Sequence, residues 1–140
     1  MGLIFINPVS LGLKKISSKY ETFQFIHSDI YNFAYWPAGK YDAESWLLNF
    51  NKNNFDIIIV RSLFTHMLPD ELDMYIKHIS KSLNNAGKVV ATFFLLNDTQ
   101  KKMKNNSIHF IKQNKTSVHS IMNKLAPTAA VAYEQDYILE

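Results

Sequence analysis

Four side chains able to do chemistry crowd into six residues: Arg61, Ser62, Thr65 and His66. An imidazole titrates near neutral pH, so His66 is the candidate general base and the candidate catalytic residue. Arg61 offers a planar fork to an anion, and the hydroxyls of Ser62 and Thr65 can donate or accept beside it. The same Thr and His would equally serve to cap the start of a helix. A second candidate is Asp29, which directly follows the short apolar run Phe23–His27 and Ser28. Its carboxylate can accept from a ligand amine or hydroxyl, or it can cap the next turn.

Other chemistries find no foothold. The chain has no cysteine, which excludes disulfides, thiolate metal ligands and a cysteine nucleophile. His27, His66, His78, His109 and His119 show neither HxxxH nor HxH spacing, and no carboxylate pair accompanies them, so no metal is expected. The four glycines are too scattered for a phosphate cradle, and no G-x-S-x-G elbow is present.

The elements that must position these residues can be read from hydrophobic periodicity. Leu72, Tyr75, Ile76, Ile79 and Leu83 recur at helical spacing after Pro69 and the acids Asp70, Glu71 and Asp73. The spacing predicts a helix that stops at Asn84-Asn85-Ala86-Gly87, residue types that accept positive φ. The runs Phe55–Val60 and 89–96 flank it without alternating, as strands buried on both faces of a parallel sheet would. Strand, helix, turn and strand form a βαβ unit. Residues 3–6 and Phe23–His27, around a helix from about 8 to 19, suggest a second. Residues 29–54 show no clear period and read either as a long functional loop or as an insertion carrying a short helix near 43–50, and the tail from Thr99 reads as irregular until a helix begins at 134–140. In open parallel sheets ligands sit beyond the carboxyl ends of the strands, which here are Asn7-Pro8, Ser28-Asp29-Ile30, Arg61-Ser62 and Asn97-Asp98.

Length and composition agree with a globular α/β chain. With 140 residues, 47% hydrophobic and 14% aromatic, it has the makings of one domain and is too apolar for disorder. No apolar run approaches the ~20 residues of a membrane helix, and no secretory leader pattern opens the chain, so a cytoplasmic protein with no membrane partner is expected. The net charge is +3, and all but one of the 15 cations are lysines, Arg61 being the exception. Six of those lysines lie between Asp98 and Glu134 with no acid among them. Sequence-reading nucleic-acid sites lean on arginine, so a solvated surface segment is the better account of that stretch.

Several of these residues carry a family resemblance. The stretch FDIIIVRSLFTHMLP (55–69) resembles the fourth strand of class I S-adenosylmethionine (SAM)-dependent methyltransferases, in a subgroup marked by FTHM. The turn LNNAG (83–87) and the strand after it continue the likeness, IHSDIYN (26–32) is similar to the third strand and its acidic end, and APTAAVAY (126–133) resembles a later linker. The resemblance implies a Rossmann-like, mostly parallel sheet holding strands 2 to 5 of the family, with its first strand and terminal hairpin missing. It implies one partial domain over 1–140, with a core in 1–98 and a lysine-rich linker and the start of a helix in 99–140. By the same resemblance Asp29 and Ile30 border the adenine of SAM, Arg61 and Ser62 lie beneath its methionine end, and Thr65 and His66 face an acceptor of unknown identity.

Two departures shape the functional expectation. The family's glycine-rich cofactor loop has no counterpart in the sequence, and Phe5 aligns with the acid that holds the ribose. Each lost charge-assisted hydrogen bond costs ~1.5–3 kcal/mol, so two weaken binding by roughly a hundredfold or more. The expectation is a methyltransferase impaired as this chain alone. The alternative is a non-catalytic pseudo-methyltransferase subunit or a basic interaction module. Without the central strand, residues 3–6 and Phe55–Val60 are expected to pair directly, in the family order 3-2-4-5. The uncovered sheet would then favour self-association or a partner chain that completes it.

Overall fold

The computed structural model describes residues 2–6, 23–27, 29–32, 36–42, 55–103 and 109–140. The predicted helices at 8–19 and 43–50, and the strand end at Asn7-Pro8, lie outside these residues. The chain divides into two units, Met1–Trp46 and Leu47–Glu140.

In the first unit β1 (Gly2–Ile6) and β2 (Phe23–His27) pair in parallel, from Gly2 opposite Phe23 to Ile6 opposite His27. Parallel neighbours need a connection of a dozen or more residues, and sixteen separate β1 from β2 in the sequence. Beyond β2 the chain folds into a tight loop in which the Asp29 carbonyl accepts from the amides of Lys40 (3.0 Å) and Tyr41 (3.1 Å). Ile30 bridges to Tyr41, and Asn32 bridges to Trp36. Gly39 permits the closure: a Cβ there would run into the backbone of Ile30 and Tyr31.

The second unit begins with the predicted βαβ motif. β3 (Phe55–Val60) leads through a 3-10 turn (Phe64–His66) into α1 (Pro69–Ser82), and β4 (Leu83–Ala91) returns parallel to β3. Pro69 sits in the first helical turn, where its missing N–H costs nothing, and Glu71 Oε2 accepts from the Leu68 amide at 3.1 Å. Leu72, Tyr75 and Ile79 of the predicted stripe are buried, while Ile76 lies at its margin and stays 44% exposed. Burial, helped by the Glu71 carboxylate, pushes the Tyr75 phenol up to about 12. At the far end Ser82 Oγ donates to the His78 carbonyl at 2.9 Å. The turn expected at 84–87 is instead the start of β4, and the residue in it with positive φ is Ala86 (66°), not Asn84, Asn85 or Gly87.

The run 89–96 departs from expectation by breaking in two. β4 ends at Ala91, and β5 (Phe94–Leu96) joins another sheet, pairing in parallel with β8 (Val131–Glu134). The break falls where β3 has ended at Val60, so the chain must find a new ladder. After α2 (Asp98–Lys102), the tail that reads as irregular supplies β6 (Ile111–Lys112) and β7 (His119–Ile121), then a 3-10 turn (Pro127–Ala129), β8 and α3 (Gln135–Leu139). This sheet has the order β5-β8-β7-β6, antiparallel except for β5.

The segment that resembles a linker, 126–133, therefore ends in a central strand. Val131, Ala132 and Tyr133 are fully buried, because β8 has a neighbour on each side. Around Tyr133 pack Phe93 (ring centroids 6.2 Å apart), Tyr137 (5.9 Å, stacked) and, through Phe93, Phe64 (5.2 Å). The Tyr133 hydroxyl donates to the Met67 carbonyl at 2.8 Å, tying β8 to the chain just before α1.

The described strands thus give mixed α/β content in small sheets. The single sheet in the order 3-2-4-5 is not what they form, since β1 pairs with β2 alone and β3 with β4 alone. Burial of β3 and β4 on both faces is likewise corrected: Ile57 is 61% exposed, Ile59 71% and Val90 56%. Val89, on the face opposite Val90, is 41% exposed as well. No helix among the described residues is long and apolar enough to cross a membrane.

Candidate functional site

Past the carboxyl end of β3 the chain must turn sharply. Phe64 and Thr65 are drawn inward to 2% and 7% exposure, which leaves Arg61 and Ser62 on the outside of the bend. Ser62 takes the left-handed conformation (φ 53°), which costs a non-glycine residue roughly 1–2 kcal/mol. Thr92, at the break between β4 and β5, holds it there. Its hydroxyl accepts from the Ser62 amide at 2.7 Å, and its own amide donates to the Val60 carbonyl at 3.1 Å. The carboxyl ends of two parallel strands are stitched together by one threonine.

His66 closes the 3-10 turn, its amide donating to the Leu63 carbonyl at 3.0 Å. Its Nδ1 lies 3.1 Å from the Thr128 carbonyl. A carbonyl can only accept, so Nδ1 carries the proton and Nε2 is the basic nitrogen. This bond joins the turn after β3 to the 3-10 turn before β8.

Between these pieces lies a cavity of about 380 Å³, within the usual size range of small-molecule sites. Arg61, Ser62, Thr65, His66 and Thr92 are its polar lining residues. Phe93, Phe94, Met122, Ala129 and Ala130 are the apolar ones. None of the lining residues is acidic, and among the described residues no carboxylate pairs with Arg61.

The structure thus brings Arg61, Ser62, Thr65 and His66 together. Asp29 and Ile30 belong to the first unit, and there the Asp29 carboxylate closes its own loop. Its Oδ1 accepts from the Trp36 indole N–H at 2.9 Å, and Oδ2 lies 3.8 Å from the Lys40 ammonium. Asn97 is structural: its Oδ1 caps α2 through the Gln100 amide (2.9 Å), and its Nδ2 donates to Gln135 (2.9 Å). Among the described residues no group of three or more His, Asp or Glu could hold a metal ion.

Sequence reasoning missed Thr92, Phe93, Phe94, Met122 and residues 128–130. A signal for Thr92 exists: it is the one hydroxyl inside an otherwise apolar run, 89–96. The small residues at 129–130 carry no comparable mark. A scan against protein-family models matches none, and a search of the solved structures finds no match to the chain.

Proposed function

We propose that the chain is related to class I SAM-dependent methyltransferases, with an acceptor-side pocket but without a working cofactor site in these 140 residues. The observation that carries this reading is the cavity at the carboxyl end of β3, where Arg61, Ser62, Thr65 and His66 meet. These are the positions that the FTHM resemblance assigns to the methionine end of SAM and to the acceptor. A Rossmann-like origin also suits the two parallel strand pairs, each joined by a crossover.

The residues present do not fit SAM as a whole. SAM offers two ribose hydroxyls and an ammonium group, and each calls for a carboxylate. The cavity has none, and Asp29, the carboxylate assigned to adenine, has its Oδ1 engaged by Trp36. Phe5 stands at the ribose acid's position, and the four glycines form no cofactor loop. The chain acts as a binding module or subunit, and methyl transfer is not its activity alone.

Calorimetry of the purified chain with SAM tests this. Very weak binding or none is expected; a dissociation constant in the low micromolar range overturns it. The basic-module alternative is the weaker one, because Lys101 and Lys112 are both paired with Glu134 (2.7 and 3.0 Å) and the chain has a single arginine. Self-association is the partner reading the exposed Ile57, Ile59 and Val90 support, and a clean monomer in light scattering of dilute protein removes it.

A further inference from the structure

We infer that the cavity beside Arg61 binds a small monocarboxylic acid with an apolar body and no amino group. The inference rests on reading this cavity as the acceptor side of the site, and it does not require SAM.

Charge is the first argument. Arg61 is the only permanently charged residue among the lining residues, the His66 imidazole being a cation only when protonated, no acid lines the cavity, and no described carboxylate pairs with Arg61. One guanidinium balances one negative charge, and its planar fork matches a carboxylate through two parallel N–H···O bonds. A phosphate brings close to two charges and would call for a second cation or a nest of backbone amides. Neither a lysine nor a glycine lines this cavity.

The apolar lining supplies the second argument. Phe93, Phe94 and Met122 offer rings and a thioether to an apolar body, and Ala129 and Ala130 leave it room. The volume of about 380 Å³ suits a small organic acid better than a bare inorganic anion. An amino acid is disfavoured, since its ammonium would be held against Arg61 with no carboxylate to receive it.

Geometry is the third. Ser62 is kept in a left-handed conformation by the Thr92 hydroxyl, which places backbone strain at the rim of the cavity. Such strain persists where the surroundings over-determine it, and here it sets Arg61 on the outside of the bend.

The test is a two-dimensional NMR titration of the full chain with phenylacetate, phenylacetamide, phenylalanine and phenyl phosphate. Phenylacetate is expected to shift the amides of Ser62, Thr65 and Thr92, with the other three binding at least tenfold more weakly. Arg61→Met is expected to weaken phenylacetate at least tenfold while leaving the core resonances of Leu72 and Tyr133 in place. Equal binding of the amide or of phenylalanine, tighter binding of phenyl phosphate, no binding of phenylacetate, or an indifferent Arg61→Met each overturns the inference. Because no SAM is present, failure here is distinct from the outcome of the SAM calorimetry.

Discussion

The strands β3 and β8 divide the labour of the second unit in opposite ways. β3 carries the heavier side chains, FDIIIV, yet leaves Ile57 and Ile59 largely exposed. β8 is lighter, VAYE, and its first three residues are fully buried. Position decides the difference. β3 has β4 as its one neighbour, whereas β8 lies between β5 and β7 with aromatic rings packed against Tyr133. Burial follows a strand's place in its sheet more closely than its hydropathy.

The sharpest way to break this comparison is a pair of truncations. Tyr133→Ala removes a fully buried ring and the hydrogen bond to the Met67 carbonyl, and is expected to cost about 3–5 kcal/mol in urea unfolding. Ile59→Ala removes a side chain from a residue 71% exposed, and should stay within about 0.5 kcal/mol of the parent. A loss at Ile59 approaching that at Tyr133 would mean that the β3 face is covered in solution, and the contrast would fail.

The same contrast explains what the sequence made legible. The strands Phe55–Val60 and Phe23–His27 and the helix Pro69–Ser82 are recovered within a residue or two, because local periodicity and capping set them. Of the candidate site, Arg61, Ser62, Thr65 and His66 are legible because they are adjacent in the chain. The rest of its lining comes from residues 92–94, which follow β4 beside the end of β3, and from 122, 129 and 130, which the sheet that joins β5 to β8 brings near. β8 itself is four residues long and escapes any periodicity window. The division of 89–96 between two sheets is also a tertiary event, invisible in a run that is apolar nearly throughout.

A smaller effect sits at the end of β8. Glu134 accepts from both Lys101 and Lys112, and these hydrogen bonds hold its carboxyl below the ordinary value of 4.5. The folded state therefore gains from the ionised form. That gain is complete above the unfolded glutamate pKa and is lost as pH falls through the lower folded value. Glu134→Gln should lower the melting temperature at pH 7, and the gap from the parent should close in acid. A gap that persists well below pH 4 would assign the loss to packing and not to charge.

The smallest effect belongs to β4, and it tests whether the β3–β4 pair is as loosely determined as its exposed face suggests. Between Leu83, opposite Phe55, and Lys88, opposite Ile57, the register slips, and the slack is taken up at Ala86 with φ 66°. Ala86 is exposed, so a substitution there changes backbone preference and little packing. Glycine relieves a left-handed strain of roughly 1–2 kcal/mol but adds freedom to the unfolded chain worth ~0.4–1 kcal/mol. Ala86→Gly should accordingly gain about 0.5 kcal/mol. Ala86→Val should lose stability, since a β-branched side chain resists positive φ more strongly. The expected order in urea unfolding is Gly, then Ala, then Val. If valine equals or exceeds glycine, residue 86 is extended in solution, and β4 pairs with β3 in a tighter register than the slip at Phe55 and Ile57 describes.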